Sequence, residues 1–131
     1  MKADLRPVRQ KRGTQARLDG GRAEWAAALL LMAKGYRILG MRLRTPQAEV
    51  DLAAVRGRVL AIVEVKRRRT LEEALLAVTP SQRARLKRAG QALAARGGQA
   101  KPAVVRLDLV ALAPGRWPRH IADAWGDVGL R

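Results

Sequence analysis

Cysteine is absent from the 131-residue chain, which excludes a disulfide framework and any thiolate zinc site. A single histidine, His120, excludes a His-rich metal cage and a His pair for acid–base chemistry. Phenylalanine is missing as well. Three Trp and one Tyr make up the whole aromatic complement, so the core has to be built from Leu, Val, Ile and Ala. The longest apolar run, Trp25 to Ala33, is nine residues, against the roughly 20 that a membrane span needs. The basic N-terminus is followed by more charge and glycine, not by the apolar stretch of a signal peptide. A soluble cytoplasmic protein without a membrane partner is expected.

Carboxylates are scarce too. Eleven acids face 27 Lys and Arg, for a net charge of +16. That surplus predicts attraction to a polyanion, above all nucleic acid. A hydrophobic content of 48% excludes a disordered tail. The length suits one domain that buries roughly two thirds of its unfolded surface.

Residues 1–18 carry Lys2, Arg6, Arg9, Lys11, Arg12 and Arg17 with little apolar content and read as a flexible basic arm, leaving 19–131 as a single domain. A helix is expected near 20–34, ended by Gly35. Its nearly all-round apolarity predicts burial on more than one side, with Trp25, Leu29 and Met32 in the core. Strands are expected at 36–44, 49–55 and 59–66; the last is apolar on both faces and so belongs in the centre of a sheet. Thr70 with Glu73, and Thr79-Pro80 with Gln82, have the spacing of helix N-caps. A strand at 104–112 and a short one near His120-Ile121 complete an αβββαβ(β) order, an α/β sandwich around one mixed sheet.

Because acids are few, their positions are informative. Glu49 and Asp51 lie two apart on one strand and are expected on one face, as are Glu64 and Lys66 on the next. A turn at Arg56-Gly57-Arg58 makes the strands antiparallel. Pairing 55 with 59 then sets Asp51 roughly opposite Val63, one residue from Glu64. Carboxylates brought this close repel unless a cation sits between them, and oxygen ligands without Cys select Mg²⁺ or Mn²⁺. Such an ion binds a phosphate oxygen and activates a water, while Lys66 orients that water or neutralises developing charge, a set suited to phosphodiester hydrolysis. The other reading of the same residues is a solvated strand end in which Glu49 and Asp51 pair with neighbouring arginines.

Taken together, several segments resemble the YraN (UPF0102) family. They are Glu24 in an Ala-rich helix, Gly35-Tyr36-Arg37-Ile38-Leu39, Glu49-Val50-Asp51-Leu52 and Val63-Glu64-Val65-Lys66-Arg67-Arg68, with Arg106-Leu107-Asp108-Leu109-Val110 and the closing His120-Ile121-Ala122-Asp123-Ala124-Trp125. That family is similar to the PD-(D/E)xK nucleases, which share the restriction-endonuclease-like fold with archaeal Holliday junction resolvases. The resemblance implies an αβββαβ core with a mixed sheet flanked by helices, and a metal-dependent nuclease acting on DNA, branched DNA included. It implies Asp51, Glu64 and the backbone carbonyl of Val65 as metal ligands, Lys66 as the motif lysine, Glu24 as a helix glutamate reaching into the site, and Glu49 as part of the acidic pair. Gln82 is implied as a substrate contact. Ala48 stands where the family usually has Gly, Asp123 where Asn is common, and Trp125 where Phe is usual; none of these changes removes an implied ligand.

Arg67, Arg68 and Arg69, with Arg85 and Arg88 three apart on one helix face, are expected to grip phosphates, because few acids are available to pair with them. His120 and the Arg106–Asp108 pair read as structural. Trp117 and Trp125 read first as packing the C-terminal segment, and second as base-stacking residues. Two rival functions stand beside the nuclease: a nucleic-acid-binding protein that keeps the nuclease fold without cleaving, and a basic RNA- or ribosome-associated protein. A homodimer is compatible with the resemblance, although no exposed apolar stripe in the sequence compels one.

Overall fold

The computed structural model describes residues 14–96 and 104–126, with side chains from Gly21 onward in the first helix. In chain order the elements are α1 (Thr14–Ala33), β1 (Arg37–Arg44), β2 (Glu49–Arg56), β3 (Val59–Arg67), α2 (Leu71–Leu76), α3 (Pro80–Ala95), β4 (Val104–Leu112) and β5 (Arg119–Ile121). The expected arm overlaps α1, which starts at Thr14; residues 1–13 lie outside the described residues.

The strands form one sheet in the order β1-β2-β3-β4-β5. Only β3 and β4 run parallel, and a parallel pair needs a crossover, which α2 and α3 supply. This mixed α/β arrangement is consistent with a restriction-endonuclease-like fold. β3 is central, as its two-faced apolarity requires. Leu60 and Ile62 pack toward Val78, Leu86 and Ala89 on the α3 side. Ala61 and Val63 pack toward Ala27, Ala28 and Leu31 of α1. With no Phe to fill space, the two layers approach through small residues. At Gly90 of α3, a Cβ would stand 2.6 Å from Val105 Cγ1 and 2.8 Å from Ile62 Cγ1.

The helix ends follow their local signals. Thr79 and Gln82 form a reciprocal capping box ahead of Pro80, and the Thr70 hydroxyl accepts the Glu73 N–H at 3.1 Å. After α1, Gly35 adopts φ 93; its N–H bonds to Met32 O at 3.0 Å and the Tyr36 N–H bonds to Leu31 O at 3.0 Å. These two bonds make a Schellman motif, which needs the left-handed backbone that glycine adopts without a Cβ penalty.

The outward side of α1 corrects one expectation. Trp25, Leu29 and Met32 are 56%, 59% and 44% exposed, so they form an apolar stripe facing away from the core. Ala27, Ala28 and Leu31 supply the buried side instead. A single helix lying on one face of a sheet has one covered side however apolar it is.

The closing segment is tied down by buried Asp108. Both its oxygens accept from Arg106 at 2.8 Å, Oδ2 also faces His120 Nε2 at 2.8 Å, and Oδ1 accepts the Asp123 N–H at 3.0 Å. Burial pushes this carboxyl up, but its bonds to His120, Arg106 and the Asp123 N–H outweigh that effect and hold it below the usual carboxylate range. His120 Nδ1 meets Lys34 Nζ at 2.8 Å, so the ring links Lys34, just past the end of α1, to Asp108 of β4. Trp125 donates its indole N–H to Leu75 O at 3.0 Å and packs between the α2 and α3 layers.

Candidate active site

β2 and β3 meet through a tight hairpin. Arg56 pairs with Val59 around Gly57-Arg58, with Gly57 at φ 62. That loop is one residue shorter than the turn expected from the sequence. The register therefore shifts by one: Leu52 faces Val63, and counting on places Asp51 across from Glu64 itself. Beyond Leu52 the two strands part. Asp51 Oδ2 accepts the Val65 N–H at 2.9 Å, so a side chain takes the place of the next backbone rung.

Side-chain alternation also slips here. Val50 packs in the α3 layer, and Leu52, two residues on, packs in the α1 layer. In β1, Met41 lies in the α1 layer and Leu43 in the α3 layer, with Arg42 between them at φ 52. A strand of strict period 2 would put each of these pairs on one face. The left-handed residue at 42 shifts the phase of β1, and its side chain turns toward α1, where Arg42 Nε donates to Glu24 Oε1.

The outcome is a cluster drawn from α1, β2 and β3. Glu64 is buried, and Lys66 Nζ stands 3.9 Å from its Oε1. Burial, then the charge of Asp51, pushes the Glu64 carboxyl up to about 8, against the pull of Lys66. Burial also raises Asp51, despite the Val65 N–H, and raises Glu24, despite Arg42. Glu49 is exposed at the start of β2, and its charge adds to the repulsion felt by all three acids.

The donor chemistry fits a hard divalent cation, which would offset the charge that burial disfavours. Among the described residues, no three acid or imidazole groups stand together as a ready cage. Mg²⁺ does not require one; it is held by one or two carboxylates, several waters and substrate phosphates. Asp51 and Glu64 are the two carboxylates placed for that, and the Val65 carbonyl lies on the same strand edge.

The basic residues are spread more widely. Arg67, Arg68 and Arg69 are exposed where β3 ends, with Arg68 N–H bonded to Leu112 O at 3.0 Å. Arg85 and Arg88 are exposed on α3, and Arg85 donates to Ser81 Oγ at 2.9 Å. Gln82 Oε1 accepts the Thr79 N–H at 2.8 Å, so that oxygen serves the helix cap. Arg42 was not singled out from the sequence. The available signal was a cation inside an apolar strand that falls opposite Asp51 when β1 is paired to β2.

A mixed α/β domain with a buried acid, half-buried acids and a lysine gathered where two strands separate is the class these features define. Residues 23–112 match the family described as Uncharacterised protein family UPF0102, and the chain belongs to that family. A UPF0102 protein of Caulobacter vibrioides (strain NA1000 / CB15N) is 64% identical over 119 residues, covering 91% of this chain and 95% of its own length. Another from Caulobacter sp. (strain K31) is 61% identical over 129 residues, covering 95% and 93%. One from Parvibaculum lavamentivorans is 49% identical over 106 residues, covering 81% and 80%. Among the described residues, no helix is long and apolar enough to cross a membrane.

Proposed function

We propose that the protein is a metal-dependent nuclease of the PD-(D/E)xK type that hydrolyses DNA phosphodiester bonds, branched DNA included, in the cytoplasm. The observation that carries the reading is half-buried Asp51 beside buried Glu64, with Lys66 Nζ 3.9 Å from Glu64, inside a chain of net charge +16. Asp51 and Glu64, with the Val65 carbonyl, hold Mg²⁺ or Mn²⁺; the ion supplies a ligand site for a phosphate oxygen and an acidified water. Lys66 stands beside the pair to orient the attacking water or to neutralise charge on the phosphate. Asp51 keeps its position because its Oδ2 accepts the Val65 N–H. Arg67, Arg68, Arg69, Arg85 and Arg88 supply phosphate contacts.

A second reading has its own support. Glu24 is engaged by Arg42 and so is held in an ion pair, which suits a nucleic-acid-binding protein that keeps the nuclease fold without cleaving. Labelled duplex and four-way-junction DNA incubated with Mg²⁺, Mn²⁺ or EDTA separates the two. Metal-dependent cleavage lost in Asp51→Ala and Lys66→Ala supports the nuclease. Binding without cleavage by the wild type supports the binding protein.

A further inference from the structure

The β4–β5 connection carries a tryptophan that the fold leaves in water. Trp117 is 88% exposed, whereas Trp125 is bonded and packed. Its packing role is therefore not realised. The connection is nevertheless well held. Arg116 N–H bonds to Ala113 O at 3.2 Å, and Gly115 takes φ 71 beside Pro114. Pro118 restricts Trp117 to extended backbone. On the return, Arg119 pairs with Ala111, and His120 is anchored on buried Asp108 at 2.8 Å. An exposed indole on a pinned turn loses little freedom when it meets a ligand.

Its surroundings indicate which ligand. Lys66 pairs with Ala111, and Ala111 pairs with Arg119, so these three residues form one row across the sheet. Strand spacing puts Arg119 about 10 Å from Lys66. Arg116 and Arg119 flank Trp117, and Arg67, Arg68 and Arg69 are exposed at the same end of the sheet. A large aromatic with exposed arginines one before and two after it, and three more at the same end of the sheet, complements, in a chain of charge +16, a polyanion that carries ring systems.

We infer that Trp117 stacks on an unpaired nucleobase a few nucleotides from the phosphate held at Lys66, with Arg116 and Arg119 on the adjoining phosphates. An indole needs the face of a base. Uninterrupted duplex covers those faces by stacking and offers only base edges in its grooves. The substrate class is therefore nucleic acid with an unpaired stretch, such as a single-stranded tail, a gap or a flap. This rests on the nucleic-acid reading above and deepens it.

Fluorescence anisotropy in EDTA tests the inference apart from cleavage. The probes are a blunt duplex, the same duplex with a single-stranded tail, and a four-way junction. Trp117→Ala is expected to weaken binding to the tailed DNA by about 5- to 50-fold while the blunt duplex and the fully paired junction change less than about twofold. Trp117→Phe is expected to retain most of the affinity. Saturation with tailed DNA is expected to quench wild-type tryptophan emission more strongly than that of Trp117→Phe. Equal affinities of Trp117→Ala and wild type, or an equal loss on blunt and tailed DNA, overturns the stacking role while leaving the nucleic-acid reading intact. A wild type that binds none of the three overturns both.

Discussion

Arg42 reaches from a left-handed position in β1 to the Glu24 carboxylate on α1, joining an edge strand to the helix that covers it. The pair also decides how much negative charge reaches Asp51 and Glu64. Arg42→Met is expected to leave Glu24 half-buried beside two other acids, at a cost of about 1–3 kcal/mol near neutral pH. The cost should shrink in acid, where Glu24 takes up a proton. Arg42→Gly should unfold at higher urea than Arg42→Ala, by about 1 kcal/mol, because glycine removes the penalty of φ 52. Equal midpoints for the two variants would mean that the left-handed backbone is not retained.

Glu64 makes the pH dependence specific. In the unfolded chain a glutamate titrates near 4.5, while the folded group titrates near 8. Between those values the native state holds a proton that the unfolded state has released, so raising the pH favours unfolding. The Glu64 contribution is fully present below about 4.5 and is lost as the pH rises through about 8. Thermal melts in EDTA should show Tm falling from about pH 5 to about pH 8.5, and Glu64→Gln should flatten that fall. On the metal reading, Mg²⁺ should restore Tm at the alkaline end in the wild type and not in Glu64→Gln.

Asp51 has two separable tasks. Oδ2 accepts the Val65 N–H at 2.9 Å, which is structural, and the charge of the carboxylate is what the proposed chemistry uses. Asp51→Asn can keep the backbone bond but lacks the charge. Its stability should stay within about 1 kcal/mol of wild type while cleavage falls by at least about 100-fold. Asp51→Ala should lose both. Urea denaturation alongside a junction-cleavage assay distinguishes them, and an Asp51→Asn variant that cuts normally would remove Asp51 from the chemistry.

Gly90 tests the packing of α3 on the sheet. In an exposed helix, glycine to alanine is stabilising by up to about 1 kcal/mol. Here the added carbon meets Val105 and Ile62 at 2.6 and 2.8 Å, from side chains wedged between helix and strand. Gly90→Ala is therefore expected to destabilise by about 1–3 kcal/mol in denaturant unfolding, the sign opposite to its helix propensity.

Much of the layout was legible in the residues. The caps at Thr70 and Thr79, the stop at Gly35, and the central place of β3 all follow from signals within a few positions of one another. So does the proximity of Asp51, Glu64 and Lys66, because a hairpin brings its two strands together whatever its exact register. The register itself was off by one because the chain needs only Gly57-Arg58 to turn, a choice governed by backbone twist and glycine's left-handed access.

What the sequence by itself determined, then, is the order of elements, which of them is buried on both faces, and where the scarce acids fall along the strands. Those are properties of short-range periodicity and capping. Tertiary structure alone decided which side of α1 is covered, leaving Trp25, Leu29 and Met32 in solvent. It also turned Arg42 to Glu24 and left Trp117 in the open. These outcomes depend on how much sheet one helix can cover and on where β1 and β2 slip out of alternation. Both are set by contacts between segments far apart in the chain, which no local pattern encodes.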